Sequence, residues 1–451
     1  MATLVDPGRL GFAKLFSDQY GGNPSSVIYG QPLVGYENDG HWQVAGWYGR
    51  DNSVRLARRD PSGAWTTITL PISLRVDDSH NCIALSVSPQ DGRLHVVAGQ
   101  HNDPMFYTRS YEGFLADGSE APWNASIFES VTDTLAGVAV GQLTYPTFVH
   151  KPSGGLLFAY RIGTSGNGTM RLAEYEDGAW TLLGAVSSAR GTWLAPNGGS
   201  STSRNLYWAH PLYDDGGRLH LTGTWREASQ SVLCSPGMIT NHHVLYVYSD
   251  DDGRTWRNGA GTQVATTGSD PIGVNDPGIH IPSFTSTNLA HQVSDLALGP
   301  GVLGILPDYV DPTLLSGSPK CVATMAERFS KAGQGPRWLA AGVWDAEMVK
   351  VGGTGSANIV KTGYPAGRGA STRGRMAFSP TGDMVIIFSG LRILSAPAPD
   401  YSTWTVDENG ANTAYAFGEA AGLDRSREAD GLLSVLYMMR DGQMVVRDIQ
   451  L

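Results

Sequence analysis

Four groups of polar side chains follow predicted strands, at the points where loops leave a sheet and functional residues often collect. Histidine and tyrosine can accept or donate a proton when their pKa is suitably shifted, and the arginine guanidinium can hold both oxygens of a carboxylate. These groups are therefore the candidates for a functional site. They are Asp77–Asn81; His101–Asp103; Thr144–Pro146 with Tyr160–Arg161; and Asn205–Trp208 with Trp225–Glu227 and Asn241–His243.

The composition of the 451-residue chain indicates short strands joined by tight turns. It contains 57 Gly, 25 Pro, 12 Trp and 18 Tyr. Glycine supplies the positive φ angles that turns require, and aromatic residues suit a pleated, half-buried surface. We therefore predict an all-β fold.

A repeated pattern of a glycine turn followed by an alternating apolar strand predicts the architecture. Clear copies begin at Asp39, Asp91, Gly154 and Gly216, and weaker copies begin at Gly301, Gly382 and Gly431. Seven starts spaced by about 50–85 residues predict a single seven-bladed β-propeller over residues 1–451, with four-stranded antiparallel blades. We expect a strand near residues 26–35 to close the ring against residues 431–451.

One segment matches the Asp-box pattern Ser-x-Asp-x-Gly-x-Thr-Trp at every specified position, from Ser249 to Trp256. Asp251 and Gly253 would form a hairpin turn, and Trp256 would pack between sheets. We interpret the motif as structural rather than catalytic.

Charge and hydropathy exclude several classes of partner. The net charge of −10 and the lack of a basic run argue against nucleic acid, and no apolar run reaches the roughly 18 residues of a membrane span.

Cys82, Cys234 and Cys321 are too scattered for a disulfide framework. The N-terminus lacks a signal sequence, and we expect a secreted protein in its mature form, acting as a monomer.

Five linked motifs carry a resemblance to a known family. They are DDSHN at 77–81, DGRLHVVAGQHND at 91–103, TYPTF at 144–148, LLFAYR at 156–161 and NLYWAHPLYDDGGRLHLTGTWRE at 205–227. This run resembles the BNR-repeat-like propeller polysaccharide lyases of the ulvan lyase and L-rhamnose-α-1,4-D-glucuronate lyase group. Beyond about residue 260 the chain matches only by its blade pattern.

The resemblance implies β-elimination at a 4-linked uronate, which leaves a 4,5-unsaturated sugar. It assigns the catalytic positions to His80, His101, Tyr145, Arg161 and Tyr207, with Arg161 neutralising the uronate carboxylate. The division between base and acid among His80, His101 and Tyr145 stays open. Further substrate-binding candidates are Asn81, Asn102, Trp208, Trp225, Arg226 and Asn241.

Several of these residues also have structural interpretations. His95 and His220 occupy equivalent repeat positions, and we expect both to be structural. Trp208 and Trp225 could stack on sugar rings or simply pack. The chemistry requires no cofactor, although a structural zinc at His242, His243 and Cys234, or a calcium at an Asp-rich turn, stays open.

Three functions remain in competition. The first is a lyase that cleaves α-L-rhamnosyl-(1,4)-D-glucuronate in ulvan or at gum arabic and arabinogalactan chain ends. The second is a propeller exo-glycoside hydrolase such as an α-L-rhamnosidase, for which His41 is the residue to watch. The third is a carbohydrate-binding propeller without catalysis, which would not need the histidine, tyrosine and arginine set.

Overall fold

The computed structural model describes residues 3–4, 8–16, 30–118, 122–195, 197–232, 240–280, 290–299, 302–309, 337–345, 358–366, 375–388, 391–398, 403, 405–407, 422–439 and 441–451. Within these ranges the fold is all-β, as predicted, with short 3₁₀ turns such as Ala125–Ile127, Gln230–Val232 and Glu428–Asp430. No helix in the described part of the chain is long and apolar enough to cross a bilayer.

The strands form antiparallel sheets that follow one another along the chain. The first two strands, β1 (Thr3–Leu4) and β2 (Gly8–Phe12), belong to the last sheet. The next sheet has four strands in sequence order: β3 (Leu33–Glu37), β4 (His41–Tyr48), β5 (Ser53–Arg59) and β6 (Trp65–Ser73).

The middle of the chain forms three sheets that carry the candidate site. The first contains β7 (Ile83–Ser88), β8 (Arg93–Ala98) and β10 (Phe106–Arg109). The second contains β9 (His101–Pro104), β11 (Gln142–His150), β12 (Leu156–Thr164), β13 (Asn167–Glu176) and β14 (Ala179–Ala185). The third contains β15 (Arg190–Leu194), β16 (Ser200–Trp208), β17 (Leu212–Tyr213), β18 (Leu219–Glu227), β19 (Asn241–Ser249), β20 (Thr255–Arg257) and β21 (Gln263–Thr266).

Three sheets complete the described part of the chain. Two of them are four-stranded in sequence order, with β22 (Ala290–Gly299), β23 (Val302–Tyr309), β24 (Arg337–Asp345) and β25 (Asn358–Ala366) in one, and β26 (Arg375–Phe378), β27 (Met384–Phe388), β28 (Arg392–Ala396) and β29 (Thr405–Asp407) in the other. The last sheet combines β30 (Leu423–Asp424), β31 (Leu432–Met438) and β32 (Gln443–Gln450) with β1 and β2.

The repeated glycine turns fall at equivalent places in these sheets. Each of the seven predicted starts is followed by a strand of a different sheet, namely β4, β8, β12, β18, β23, β27 and β31. Gly301 itself lies outside the described residues. The repeat pattern therefore located one strand in every sheet of the described ranges.

The closing strand differs from the prediction. Leu33–Glu37 pairs with β4 of its own sheet, and residues 26–29 lie outside the described residues. The last sheet is completed instead by the N-terminal strands, because Gly8 pairs with Val446 and Thr3 pairs with Gln450. Strand β32 would otherwise leave an unpaired sheet edge, which the N-terminal segment covers.

A cavity of about 400 Å³ lies where the sheets converge. Its lining includes residues from five different sheets: Val34 (β3), Val149 (β11), Leu296 (β22), Arg375 (β26) and Leu423 (β30). Sheets that meet around one cavity in this way are arranged like the blades of a propeller.

The apolar core lies between neighbouring sheets. One cluster joins Val44 and Leu56 of the first complete sheet to Leu85 and Val96 of the next, and equivalent clusters follow along the chain. This packing buries one face of each sheet against its neighbour and so fixes the relative position of successive sheets.

The Asp box is a structural turn, as predicted. Asp251 accepts hydrogen bonds from the Thr255 N–H at 2.8 Å and from the Thr255 hydroxyl at 2.7 Å, and Gly253 adopts a φ of 78°. Trp256 is fully buried.

His95 and His220 are structural, as expected from their shared repeat position. His95 is fully buried and its Nδ1 lies 2.9 Å from the Tyr107 hydroxyl, while His220 Nδ1 lies 2.7 Å from the Tyr246 hydroxyl. Burial lowers the pKa of His95 to about 3. Both rings therefore hold strands together within their sheets.

Candidate active site

A short loop between β6 and β7 positions the first histidine. Asp78 turns this loop by accepting the backbone N–H of His80 at 2.9 Å. Asn81 is buried and donates its side-chain amide to the carbonyls of Val76 at 3.2 Å and Asp78 at 2.9 Å. Its amide hydrogens therefore hold the loop, and substrate binding by Asn81 stays a prediction.

One carboxylate joins two histidines. His80 Nδ1 lies 2.6 Å from Asp78 Oδ1, and His101 Nδ1 contacts Asp78 Oδ2. The two imidazole rings are stacked, with centroids 4.1 Å apart and planes inclined by 19°. Burial of Asp78 acts to raise its pKa, but the hydrogen bonds from His101 and His80 outweigh burial and hold that pKa well below its ordinary value.

The second histidine begins β9, which pairs with β11 at the edge of their shared sheet. His101 stands opposite Thr144, and Thr144 stands opposite Arg161 on β12, so the three residues form one row across the sheet. The Thr144 hydroxyl accepts the Asn102 backbone N–H at 2.8 Å. Strand pairing therefore brings together residues that are 60 positions apart in the sequence.

A bulge next to this row directs Tyr145. The register of β11 shifts between Thr144 and Thr147, and Tyr145 adopts a φ of 56°. A positive φ is unusual for a bulky residue and is found mostly where function requires it. The bulge directs the Tyr145 ring toward His80, with centroids 6.2 Å apart.

The guanidinium of Arg161 lies next to two tyrosine rings. Its Cζ is 4.8 Å from the centre of the Tyr145 ring and 5.8 Å from that of Tyr207, and only 2% of the residue is exposed. The Nε and Nη1 atoms are buried without a hydrogen-bond partner in the structure. A buried cation with unused donors strongly favours an anion beside it.

Tyr207 reaches this group from β16 of the adjacent sheet. Its ring centroid is 6.2 Å from that of Tyr145, and its hydroxyl donates to Ser165 Oγ at 3.2 Å. The structure thus joins all five predicted catalytic residues in one continuous set of contacts: His80, His101, Tyr145, Arg161 and Tyr207.

The remaining substrate-binding candidates differ in accessibility. Asn102 is exposed and Trp208 is partly exposed. Trp225 is fully buried in the core between two sheets and donates its indole N–H to His280 Nε2 at 3.2 Å. A side chain without exposed surface cannot stack on a sugar, so the expectation for Trp225 is corrected.

Arg226 and Asn241 pair with each other on β18 and β19. Arg226 Nη1 donates to Asn241 Oδ1 at 3.2 Å, and the two residues stand opposite each other in the sheet. Arg226 is partly exposed, whereas Asn241 is buried. The buried Asn241 therefore orients the partly exposed Arg226 side chain through this hydrogen bond.

Asp78 is a candidate site residue that the sequence analysis placed within the group Asp77–Asn81 but did not single out. The sequence carries a visible signal, a carboxylate two positions before His80, but Asp77 and Asp78 are chemically identical neighbours. Asp77 forms an ion pair with Lys14 at 3.4 Å. Only the loop conformation shows which of the two faces the histidines.

Asp78, His80 and His101 also form the one group of metal-binding residue types found among the described residues, with a donor atom of each within 4.8 Å of the others. Two atoms bound to one tetrahedral zinc at about 2.0 Å each lie roughly 3.3 Å apart. The 2.6 Å contact of His80 with Asp78 is instead a hydrogen-bond distance. The geometry therefore favours a hydrogen-bonded triad.

The second metal position considered from the sequence consists of His242, His243 and Cys234, and the structure describes only the two histidines. Cys234 lies outside the described residues, as does Cys321. His242 and His243 have Nδ1 atoms 2.7 Å apart, and His242 Nε2 lies 2.9 Å from Glu227.

Comparison with known proteins finds relatives among the ulvan lyases. The chain is 27% identical over 315 residues to the long isoform of ulvan lyase from Alteromonas sp, which covers 60% of this chain and 30% of that protein. It is 26% identical over 306 residues to the short isoform from Alteromonas sp. (strain LOR), covering 56% of this chain and 55% of that protein. The chain thus spans about a third to a half of the length of these relatives.

Solved structures support the fold. The polysaccharide lyase Uly1 matches with a TM-score of 0.65 at 16% identity and covers 100% of this chain and 98% of that chain. A PL25 ulvan lyase matches with a TM-score of 0.60 at 11% identity, covering 97% of this chain and 95% of that chain. Together with the sequence relatives, these matches confirm the resemblance to the ulvan lyase group that the motifs predicted.

The model of the BNR repeat-containing family matches residues 42–302, more than half of the chain and including every residue of the candidate site. This chain belongs to the BNR repeat-containing family.

Proposed function

We propose that this protein is a polysaccharide lyase that cleaves an α-L-rhamnosyl-(1,4)-D-glucuronate linkage by β-elimination. The substrate would be a uronate-containing polysaccharide of the ulvan or gum arabic type. We further propose that the seven sheets of the described residues are the blades of a seven-bladed propeller that forms a single domain over residues 1–451. The site lies between adjacent blades.

The observation that carries the proposal is the position of Arg161 beside proton-transfer groups. Arg161 holds two buried N–H groups without partners, directly beneath the ring of Tyr145. A uronate carboxylate is an anion whose neutralisation makes the adjacent C5–H more acidic. Elimination requires this neutralisation and a base together, and the site contains both.

The reaction can be written through residues of the chain. Arg161 stabilises the charge that develops on the carboxylate as a base removes the C5 proton. The electron pair of the C5–H bond becomes the C4–C5 double bond, the bond from C4 to the glycosidic oxygen breaks, and an acid protonates the departing oxygen. In glucuronate the C5 hydrogen and the C4 oxygen lie on one face, so a single group can serve both steps.

Accessibility narrows the choice of proton-transfer group. The side chain of His101 is 34% exposed, whereas that of His80 is only 5% exposed. Tyr145 is partly exposed and lies between the histidine pair and Arg161. We therefore assign direct proton transfer to His101 and Tyr145. His80 is the more buried ring of the stacked histidine pair.

The proposal includes the remaining expectations about the protein's setting. A uronate polymer is found outside the cell, which favours a secreted enzyme, and we propose that it acts as a monomer. The elimination needs no cofactor, since Arg161 supplies the positive charge. A calcium or zinc ion, if bound, would have a structural role.

The test is ultraviolet absorbance during incubation with ulvan and, separately, with gum arabic, because the 4,5-unsaturated product has a conjugated chromophore. We expect absorbance to rise with one of the two polymers and to stay flat with His101→Ala. His41→Ala is the matched control, since His41 lies elsewhere, against Glu37 at 2.7 Å. Release of rhamnose without absorbance, lost in His41→Ala, would contradict the lyase proposal and support a hydrolase.

A further inference from the structure

We propose that Asp78 is a positioning residue that holds both histidines in the Nδ1–H tautomer and thereby presents the Nε2 of His101 as the proton acceptor. The proposal rests on the proposed function for its catalytic meaning. Its structural content concerns hydrogen positions and can be measured without substrate.

Each oxygen of the Asp78 carboxylate contacts one of the two histidines. Oδ1 receives both the backbone N–H and Nδ1 of His80, and Oδ2 receives Nδ1 of His101. An ionised carboxylate is an acceptor only, so each Nδ1 in contact with it must carry the hydrogen. In a neutral imidazole the second nitrogen, Nε2, then holds the lone pair.

The ionisation of Asp78 supports this assignment. The hydrogen bonds from the histidines keep its pKa far below neutrality despite burial, so the carboxylate remains charged at any pH at which the enzyme would act. A charged acceptor also forms stronger and shorter hydrogen bonds than a neutral one.

The orientation follows from the same contacts. Both rings contact the Asp78 carboxylate through Nδ1 and stack with centroids 4.1 Å apart. Their Nε2 atoms therefore point away from Asp78 in nearly the same direction. His101 is the more exposed of the two rings, and its Nε2 is therefore the one that a sugar can reach.

The substitution Asp78→Asn removes the carboxylate charge but can keep the loop turn. Its effect on the tautomer of His101 can therefore be predicted. The single carbonyl oxygen of the new side chain can keep the turn to the His80 N–H, because asparagine forms the same type of turn as aspartate. The amide nitrogen then faces His101 Nδ1 and is a donor. His101 must accept that hydrogen bond and move its own proton to Nε2, which removes the lone pair that the reaction needs.

The experiment compares Asp78→Asn with Asp77→Asn, a matched change one residue away whose carboxylate pairs with Lys14. We expect kcat to fall about 10²- to 10⁴-fold in Asp78→Asn, with KM changed less than about threefold, and to stay near wild type in Asp77→Asn. Two-bond ¹H–¹⁵N correlation spectra should show Nδ1–H for both histidines in the wild type and Nε2–H for His101 in Asp78→Asn.

Several outcomes would overturn the proposal. One is a kcat within about threefold of wild type in Asp78→Asn. Another is a loss of turnover while His101 remains the Nδ1–H tautomer, since the loss would then be structural. A wild-type spectrum with Nε2–H on either histidine would overturn it even if Asp78→Asn does not fold.

The spectra also separate this proposal from the proposed function. If the wild type eliminates neither polymer, the lyase proposal fails, while Nδ1–H tautomers that change at His101 in Asp78→Asn still support the positioning role. Asp78→Ser, which also keeps a turn-forming side chain, provides a second variant for the same measurement.

Discussion

The guanidinium of Arg161 lies against the face of the Tyr145 ring, with Cζ 4.8 Å from the ring centre. The two residues come from neighbouring strands, and the bulge in β11 gives Tyr145 the positive φ that brings its ring over the cation. A cation over an aromatic face is stabilised without using its N–H donors. Arg161 therefore keeps these donors available for an anionic substrate.

The first prediction concerns the shape of this cation. Arg161→Lys keeps the charge but loses the planar fork that binds a carboxylate through two hydrogen bonds. We expect kcat/KM for elimination to fall at least about 100-fold, corresponding to roughly 2.7 kcal/mol of transition-state stabilisation. Arg254→Lys, at an ion pair with Glu174, is the control and should remain active. Equal activity of both variants would argue against carboxylate binding by Arg161.

The second prediction concerns the Tyr145 hydroxyl. Tyr145→Phe keeps the ring over Arg161 and tolerates the same backbone, but it cannot transfer a proton. We expect kcat to fall about 10²- to 10⁴-fold while the melting temperature changes by less than about 2 °C. A Tyr145→Phe variant with kcat within threefold of wild type would contradict proton transfer by Tyr145. His101 would then be the accessible group that transfers the proton.

The third prediction separates two tryptophans. Trp225 is fully buried and Trp208 is partly exposed. We expect Trp225→Ala to lower the free energy of unfolding by about 3–5 kcal/mol, because it leaves a large cavity. Trp208→Ala should mainly raise KM, by about 3- to 10-fold, as expected if its ring contacts the sugar. Urea unfolding and initial rates measure the two effects, and a reversed pattern would contradict these assignments.

The fourth prediction follows from the buried, neutral His95. Burial lowers its pKa to about 3, against 6.5 in the unfolded chain. Above pH 6.5 the ring is neutral in both states and the protein has its full stability. Below pH 6.5 the unfolded chain binds a proton that the folded chain does not bind until about pH 3, so stability falls as the pH is lowered through this range.

His95→Phe removes this proton while keeping an aromatic ring among Phe148, Tyr175 and Trp180. We expect the wild type to lose about 2 kcal/mol more stability than the variant between pH 7 and pH 5, measured by urea unfolding at each pH. Parallel pH profiles for the two proteins would show that His95 is not neutral in the fold.

The repeat and the grouping of the candidate site residues could be predicted from the sequence. Glycine turns and alternating apolar residues are local signals, and each of the seven starts precedes a strand of a different sheet. The family resemblance of the five linked motifs implied His80, His101, Tyr145, Arg161 and Tyr207, and these residues form one continuous set of contacts. The motifs could be recognised because each is a short stretch of chain.

Tertiary structure alone decided the features that depend on distant pairing. Strand β32 pairs with the N-terminal strands rather than with residues near 26–35, because sheet closure joins opposite ends of the chain and no local pattern encodes its partner. The same limit explains Trp225, whose burial depends on the neighbouring sheet. It also explains Asp78, because the sequence shows two adjacent aspartates and only the folded loop determines which carboxylate meets His101 from the next sheet.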